Sequence, residues 1–444
     1  MSIISKCHRL GELTAKSGRF IREKGCRAFF YKSRSFVKGY LLRHLVQSTE
    51  AAPIQPRTVS ELIYFSHDNL QPLLVFRSPD PGRSACLNFV TDALGASLLG
   101  GVGTALIIAS QYAVRKNMTL RIITRCESAL PTDYYEFMKL MHETPPKKVV
   151  FWSDSDRDVA GMHKHPLEIS DSDEFFTTSW WTTSAVRVAE TGCKVFYLVQ
   201  ETEDFFYPYD DMRLWCSWQM NSTDVCYLVN SHWLWDYFKN TYPLICANGT
   251  WFEPAFPRFL YHPQPSAASG KHKLFFYARP NHFRNLYLTG LKVLEEAVLR
   301  GILDPEQWEI CLAGDRNEKV VFAGGVTPEL LGKMTWREYV DFLATVDVAF
   351  SLVNAPHPGY LLLESLASGC VCVTNSFENT KDRPLCKNII ARELSIDALC
   401  DGLREGVKLA LDDQTRRKNF EELSLPSVWS DTLKETLGFM ERFG

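Results

Sequence analysis

The chain lacks several features that would place it in other classes of protein. It has no run of about twenty uncharged apolar residues, so we expect no membrane-spanning helix. No apolar core follows the basic N-terminus, so we expect no secretory signal. The 13 cysteines include no Cys-x-x-Cys pair, which argues against a zinc module and favours a reducing, cytoplasmic compartment. Because the net charge is only −3, we expect no nucleic-acid partner.

What is present is an ordinary globular composition on a long chain. With 444 residues, 45% of them apolar, the chain can form two domains and an additional segment. The additional segment is N-terminal, where residues 1–45 carry eleven lysines and arginines against Glu12 and Glu23. Two interpretations stay open for it. It is either a solvated tail or a basic amphipathic helical extension that contacts the inner face of the cytoplasmic membrane or a partner.

From about residue 60, short β-branched or aromatic runs alternate with helical periods. In the first half, this pattern predicts strands at 86–91, 119–124, 148–152, 194–200 and 224–229. In the second half, the alternation restarts with short apolar runs at 273–278, 309–313, 320–323, 347–353 and 371–375. Such alternation predicts an α/β fold with parallel sheets, here two Rossmann-like doubly wound domains that face each other across a cleft.

The same pattern sets the expected domain boundaries. The basic extension and its linker occupy residues 1–58, and the N-terminal domain occupies 59–268. A polar, small-residue break then precedes a C-terminal domain at 269–425. Residues 426–444 have apolar side chains at helical spacing, and we expect them to pack back toward the N-terminal domain.

Two arginines follow the first expected strand of the second half. Arg279 and Arg284 come just after the run at 273–278. Ligands of open α/β sheets bind outside the carboxyl ends of the strands, so both cations are placed for an anion. The alternative is that they are ordinary surface arginines.

A turn and a helix start follow another expected strand of that half. Residues 357–360, His-Pro-Gly-Tyr, come after the run at 347–353, and Glu364 projects from the first turns of the helix. A helix N-terminus offers unpaired N–H groups to phosphate oxygens, and a carboxylate can accept hydrogen bonds from ribose hydroxyls. Together with the two arginines, this pattern indicates a site for a nucleoside diphosphate.

The first half contributes a glycine cluster and a tryptophan pair. Gly101 and Gly103 open a helix after the strand at 86–91, and we interpret them as a loop at the cleft mouth, with a plain turn as the alternative. Trp181 and Thr182 lie at a strand-to-helix junction, where one could stack on or hydrogen-bond a sugar. Glu201 lies in an acidic segment after the strand at 194–200.

Two Asp-x-Asp pairs, Asp154 with Asp156 and Asp171 with Asp173, match a pattern that binds metal in some glycosyltransferases. An exposed polar loop would look the same, and we expect no metal and no cofactor.

These residues resemble those of the retaining GT-B glycosyltransferases of family 4, most closely the dTDP-rhamnose-dependent rhamnosyltransferases of the WsaF type. The resemblance covers roughly residues 80–442. It implies a GT-B architecture in which Arg279 and Arg284 are catalytic and bind the diphosphate, while Glu364 binds the ribose. The implied donor-binding residues are Gly101, Gly103, Arg279, Arg284, Lys333, Met334, His357, Pro358, Gly359, Tyr360 and Glu364. The implied acceptor-binding residues are Trp181, Thr182 and Glu201.

One position departs from the wider family. Many members have a glutamate eight residues before the ribose-binding one, where this chain has Pro356. The rhamnosyltransferase branch has proline-histidine-proline there too. The resemblance therefore implies metal-independent transfer of a deoxyhexose, L-rhamnose from dTDP-rhamnose, to a glycan or lipid-linked acceptor in a growing cell-surface polysaccharide. The alternatives are a hexosyltransferase that uses a UDP- or GDP-sugar, and a non-catalytic glycan- or nucleotide-binding scaffold subunit.

Overall fold

The structure of the protein is a computed structural model. It describes residues 58–443 apart from 79, 81, 96–99, 155–165, 264–269, 281, 315–316, 333 and 379–384. The basic extension predicted at residues 1–45 lies outside the described residues. The chain divides into two compact units after residue 66, and the described part of the first unit contains one short helix, α1 (Val59–Ser66). Thr58 and Glu61 start this helix by reciprocal hydrogen bonds: the Thr58 amide donates to the Glu61 carboxylate (2.7 Å) and the Glu61 amide donates to the Thr58 hydroxyl (3.2 Å).

The N-terminal domain is built on a seven-stranded sheet. Two further strands, β1 (Val75–Arg77) and β5 (Leu167–Ile169), form a separate two-stranded parallel sheet. The main strands are β2 (Cys86–Thr91), β3 (Thr119–Thr124), β4 (Val149–Ser153), β6 (Glu174–Thr177), β7 (Lys194–Val199), β8 (Cys226–Asn230) and β9 (Gly249–Phe252). Their order is β4-β3-β2-β6-β7-β8-β9, and all neighbours are parallel. From β2, the strands β3 and β4 are added toward one edge of the sheet, and β6 to β9 are added toward the other edge. The strand order therefore reverses between β2 and β6.

Helices cover this sheet, as all-parallel sheets require. They are α2 (Gly101–Lys116), α3 (Pro131–Leu140), α4 (Trp180–Val188), α5 (Asp211–Met220), α6 (His232–Thr241) and α7 (Pro243–Ala247). Local sequence explains several of the ends. Asp210 caps α5 by accepting a hydrogen bond from the Arg213 amide, and Pro131 occupies the first turn of α3, where no backbone donor is needed.

The C-terminal domain repeats the arrangement. Its strands are β10 (His272–Tyr277), β11 (Trp308–Ala313), β12 (Glu329–Gly332), β13 (Val348–Ser351), β14 (Val371–Asn375) and β15 (Ile389–Arg392). Its helices are α8 (Tyr287–Leu299), α9 (Trp336–Leu343), α10 (Tyr360–Ala367), α11 (Ile396–Leu411) and α12 (Asp413–Glu421). The strand order is β12-β11-β10-β13-β14-β15, all parallel. The reversal falls between β10 and β13, so this sheet has the 3-2-1-4-5-6 order of nucleotide-binding folds, and the N-terminal sheet has the same order with one further strand, β9, at its edge.

The prediction of two doubly wound α/β domains is confirmed. One element prediction is wrong: residues 320–323 do not form a strand. The chain turns there, because Gly324 and Gly325 adopt positive φ angles of 74° and 79°, and the strand forms later as β12. No helix among the described residues is both long enough and apolar enough to cross a membrane.

The last segment forms two helices, α13 (Trp429–Thr432) and α14 (Lys434–Arg442). They lie on the N-terminal domain, because the Thr432 hydroxyl donates to the Glu253 carbonyl (2.5 Å) and Arg115 pairs with Glu441 (2.7 Å). Buried Trp429 belongs to the same apolar core as residues of the N-terminal sheet.

Candidate functional site

A cavity lies at the points where both sheets reverse their strand order. Its volume is about 850 Å³, within the range of small-molecule sites. The N-terminal domain contributes residues that follow β2, β6 and β7, and the C-terminal domain contributes residues that follow β10, β11, β12 and β13. Because ligands of doubly wound sheets bind at such carboxyl-end crevices, this cavity is the candidate site.

Arg279 lies on the C-terminal wall, directly after β10. Its guanidinium lies over the Tyr277 ring, 5.3 Å from the centroid, and contacts the imidazole of His282. Desolvation lowers the pKa of Arg279, although a guanidinium remains charged at any physiological pH. Desolvation and the charges of Arg279 and Arg284 lower the pKa of His282 to about 4, so this ring is neutral at pH 7.

Arg284 is held by the opposite domain. Its guanidinium pairs with the carboxylate of Glu201 at 2.7 Å and lies over the Phe206 ring, 4.4 Å from the centroid. The approach to Glu201 is an ion pair and not a well-aligned hydrogen bond. Glu201 and Phe206 both follow β7, so a predicted phosphate-binding residue and a predicted acceptor-binding residue contact each other across the cavity.

The N-terminal end of α10 lines the cavity on the side of the C-terminal domain. Gly359 has a φ of 82°, a conformation that favours glycine, and no side chain caps the helix. The Gly359 amide donates to Nδ1 of the buried His357 (3.0 Å). The first amides of α10 therefore remain available to an anion at its N-terminus.

Glu364 is buried at the inner end of the cavity. Its two carboxylate oxygens accept hydrogen bonds from the hydroxyls of Tyr261 (3.2 Å) and Tyr339 (2.7 Å). Desolvation raises the pKa of Glu364 to about 6, and the two tyrosine hydroxyls oppose that rise. Each oxygen keeps a further lone pair, so the group can still accept from a ligand hydroxyl.

Tyr360 connects the domains. Its hydroxyl lies 2.6 Å from the Thr104 hydroxyl in α2 and accepts from Nδ2 of Asn230 (2.8 Å) at the end of β8. Although the ring lines the cavity, its polar end is therefore already engaged by the N-terminal domain.

On the N-terminal wall, Gly101 and Trp181 reach the cavity. A Cβ on Gly101 would lie 2.7 Å from the side chain of Gln200, whose amide donates to the Gly101 carbonyl (3.0 Å). Nε1 of Trp181 lies 2.9 Å and 3.0 Å from the two carboxylate oxygens of Asp92. A larger residue at position 101 would therefore force the Gln200 side chain to move, and the indole is fixed by its polar edge.

Some predicted residues do not line the cavity. Gly103 and Pro358 are absent from its wall, and Thr182 is fully buried. Thr182 instead caps α4: its hydroxyl accepts from the Ser179 amide (3.0 Å), and its own amide donates to the Ser179 hydroxyl (3.3 Å). Met334 lines the cavity, whereas Lys333 lies outside the described residues.

The described aspartates of the Asp-x-Asp pairs do not line the cavity. Asp154 pairs with Arg125 (3.4 Å), and buried Asp173 accepts from the Cys86 amide (2.9 Å). Asp171 is an exposed partner of Arg77, and Asp156 lies outside the described residues.

Sequence reasoning missed Asp92 as a site residue and gave Glu203 no role of its own. Asp92 directly follows the buried strand β2, and that position was the available signal. Buried Glu203 accepts from the Trp180 amide (2.9 Å) at the start of α4. Desolvation raises the pKa of Glu203 to about 8. Its carboxyl group is therefore largely protonated at neutral pH.

Comparison with known families agrees with this geometry. Residues 87–227 match the family model described as the N-terminal domain of WsaF, and residues 272–404 match that described as its C-terminal domain. Each match covers most of one sheet, in the same order along the chain. The chain belongs to the GT-B glycosyltransferases.

Two solved GT-B structures have the same fold. A mutant of TarM of S. aureus, solved in complex with Fondaparinux, α-GlcNAc-glycerol and UDP, aligns with a TM-score of 0.56 and 8% identity over 80% of this chain and 99% of TarM. WaaG, a glycosyltransferase involved in lipopolysaccharide biosynthesis, aligns with a TM-score of 0.53 and 12% identity over 80% of this chain and all of WaaG.

One curated relative is similar over a shorter stretch. The O-antigen biosynthesis protein RfbC of Myxococcus xanthus is 33% identical over 127 residues, which is 29% of this glycosyltransferase. The aligned stretch spans only 10% of the length of RfbC.

Proposed function

We propose that this GT-B protein transfers L-rhamnose from dTDP-rhamnose to a growing cell-surface polysaccharide or glycan. Retention of the anomeric configuration and independence of metal ions belong to the proposal. The matches to both WsaF domains support it, as does the similarity to an O-antigen biosynthesis protein. Pro356 supports the rhamnosyl branch, because that branch has proline where many relatives have glutamate.

The observation that carries the proposal is the composition of the C-terminal wall. Arg279, Arg284 and the uncapped N-terminus of α10 all border one cavity. When the bond from the sugar to the diphosphate breaks, negative charge develops on the diphosphate. Two guanidiniums and a helix N-terminus fixed in advance stabilise this additional charge in the transition state more than they stabilise the intact donor, which lowers the barrier to transfer.

The opposite wall suits the sugar groups. Trp181 presents an indole held by Asp92, and such a ring can pack against the apolar face of a pyranose. Glu201 on this wall and Glu364 on the C-terminal wall add carboxylates that can accept hydrogen bonds from hydroxyls. The two domains meet through Tyr360 and Arg284, so a bound donor would be enclosed from water that competes with the acceptor.

A thermal-shift screen with dTDP, UDP, GDP and their sugar conjugates tests the donor. At a concentration a hundred times the dissociation constant, a ligand adds about 2.7 kcal/mol to stability, which is readily detected. We expect dTDP compounds to stabilise wild type and to lose most of this effect in Arg279→Ala. The matched control is Arg404→Ala, because the Arg404 side chain is 56% exposed on α11.

An equal response of wild type and Arg279→Ala would overturn the site. A preference for UDP- or GDP-sugars would replace rhamnose by a hexose. Donor binding without either transfer or hydrolysis would revive the scaffold interpretation.

The proposal also includes a peripheral position on the inner face of the cytoplasmic membrane, through the basic residues 1–45. Sedimentation with anionic lipid vesicles checks it. We expect the full chain to sediment with the vesicles and a chain without residues 1–45 to stay in solution, and equal partitioning would refute this part.

A further inference from the structure

A second cavity lies between the N-terminal domain and the last two helices. Its volume is about 700 Å³, and it is lined by the end of α2, the residues that follow α3, residues 257–259 and residues between 427 and 437. Gly101 at the start of α2 borders the cavity of the candidate site, and Arg115 near its end borders the second cavity. At about 1.5 Å per helical residue, these two positions are roughly 21 Å apart. The two cavities are therefore separate sites joined by one helix.

The second cavity has a flat aromatic surface in its wall. Phe259 is 46% exposed, and its ring stacks on that of His142, with the centroids 4.0 Å apart and an angle of 11° between the planes. Val114 and Val428 also line the cavity and are exposed. The stack on His142 fixes the phenyl ring and leaves its exposed part to a ligand. Such a ring with apolar neighbours can pack on the apolar face of a pyranose.

The same wall carries positive charge. Among the described residues it includes Arg115, Arg258 and Lys434, against one carboxylate, that of Glu143. Arg115 is already paired with Glu441 (2.7 Å). The side chains of Arg258 and Lys434 are exposed and form no ion pair or hydrogen bond with any residue that the structure describes. Two such cations beside an aromatic ring favour an anionic ligand.

We propose that the second cavity binds an acidic sugar of the glycan acceptor while the end of the same glycan reaches the candidate site; this inference rests on the proposed function. Phe259 packs on the sugar ring, and Arg258 and Lys434 pair with its acidic group. Because α2 borders both cavities, one glycan of several sugars can contact both, and the second contact raises the affinity for long acceptors. The second cavity takes no part in bond cleavage, so it leaves the anomeric outcome of transfer unchanged.

Calorimetric titration with hexagalacturonate, an acidic chain of six sugars, tests the site, and maltohexaose is the neutral ligand of equal length. We expect wild type to bind hexagalacturonate and not maltohexaose. Phe259→Ala should weaken this binding about tenfold, because the packing on the sugar ring is lost. The matched control is Phe76→Ala, because Phe76 is 44% exposed on β1 and lines neither cavity. It should bind like wild type.

A second variant tests the charge. Lys434→Gln should weaken the binding of hexagalacturonate roughly threefold at low salt, and the difference should vanish at high salt, as expected of an exposed ion pair. Lys418→Gln is the matched control, because Lys418 is exposed in the last turn of α12 and lies outside both cavity walls. It should have no effect. Binding of dTDP should stay within about twofold of wild type in all four variants, which shows that they are folded.

Competition connects the site to transfer. In rhamnosyl transfer to a purified cell-surface polysaccharide, hexagalacturonate should raise the KM for the polysaccharide in wild type without changing kcat. In the double variant Phe259→Ala with Lys434→Gln, the KM should be raised already and hexagalacturonate should have no further effect. A double variant with the KM of wild type would contradict the proposal.

The remaining outcomes separate the two proposals. Equal binding of hexagalacturonate by wild type and Phe259→Ala, or equal binding of maltohexaose and hexagalacturonate by wild type, would overturn the acidic glycan site. A second equivalent of dTDP that is lost in Phe259→Ala would assign the cavity to a nucleotide, and sedimentation with anionic vesicles that is lost in Lys434→Gln would assign it to a membrane. Both would overturn the inference. Wild type that binds no dTDP would refute the proposed function, whereas wild type that transfers rhamnose but binds no hexagalacturonate would refute the second site alone.

Discussion

The pair between Arg284 and Glu201 gives a prediction about donor affinity. Arg284 contacts Glu201 at 2.7 Å, and in the proposed reaction it must bind the diphosphate. The carboxylate and the diphosphate therefore compete for one guanidinium. Glu201→Gln removes the competing charge with little change in shape, so we expect the nucleotide to bind more tightly.

The size of the effect follows from the exposure of the pair. Two unit charges about 4 Å apart interact by about 4 kcal/mol at an effective dielectric constant of 20, whereas exposed pairs contribute roughly 0–1 kcal/mol. Each side chain of this pair is 18% exposed, which places it between these limits. We expect a gain of about 1.4 kcal/mol, or about tenfold in the dissociation constant of dTDP.

Calorimetric titration of dTDP into four proteins measures this gain and its cause. They are wild type, Glu201→Gln, Arg284→Ala and the double variant. Removing Arg284 should abolish the benefit of Glu201→Gln, because the competition needs both residues. A gain that persists without Arg284 would mean simple repulsion between Glu201 and the diphosphate. Unchanged or weaker binding in Glu201→Gln would refute the competition itself.

Three further predictions concern two buried polar groups of the cavity. Tyr360→Phe removes the hydroxyl shared by Thr104 and Asn230, so we expect the free energy of unfolding in urea to fall by about 2 kcal/mol, with no change in Tyr209→Phe, whose ring is 93% exposed. Because the pKa of Glu364 is raised to about 6, the donor should bind more weakly as the pH falls through 6, while Glu364→Gln should bind weakly at every pH. The protonated form favours the folded state, so the stability linked to Glu364 is fully present below about pH 4.5 and is lost as the pH rises through 6. Urea titrations of wild type and Glu364→Gln from pH 4 to 8 check that sign. If the free energy of unfolding changed with pH equally in both proteins, the prediction would be contradicted.

Much of the fold could be predicted because strands buried on both faces are continuous apolar runs. The expected strands at 86–91, 119–124 and 371–375 have the observed bounds of β2, β3 and β14. Strand β6 was harder to predict, because it has four residues and lies between a polar turn and the start of α4. The error at 320–323 has a local cause: an apolar run ended by two glycines can turn as readily as it can extend.

Only part of the site could be predicted from the sequence, and the reason differs from that for the fold. The cations and the helix start each follow an expected strand of the second half, so their placement at strand ends predicted that Arg279, Arg284 and Gly359 would border one site. The importance of Asp92 depends on the order of strands in a sheet, and that order is set by tertiary packing. Thr182 could have been assigned correctly, because Ser179-x-x-Thr182 before an apolar helix is a capping pattern.

Arg279 and Arg284, which were predicted to bind one anion together, have different surroundings. Arg279 contacts Tyr277 and His282 of its own domain, whereas Arg284 contacts Glu201 and Phe206 of the opposite domain. The charge of Arg279 is therefore available to a diphosphate whatever the distance between the domains. That of Arg284 depends on how closely the N-terminal domain approaches. If the two guanidiniums share one diphosphate, its binding at Arg279 changes the partner of Arg284, and so couples donor occupancy to the contact between the domains.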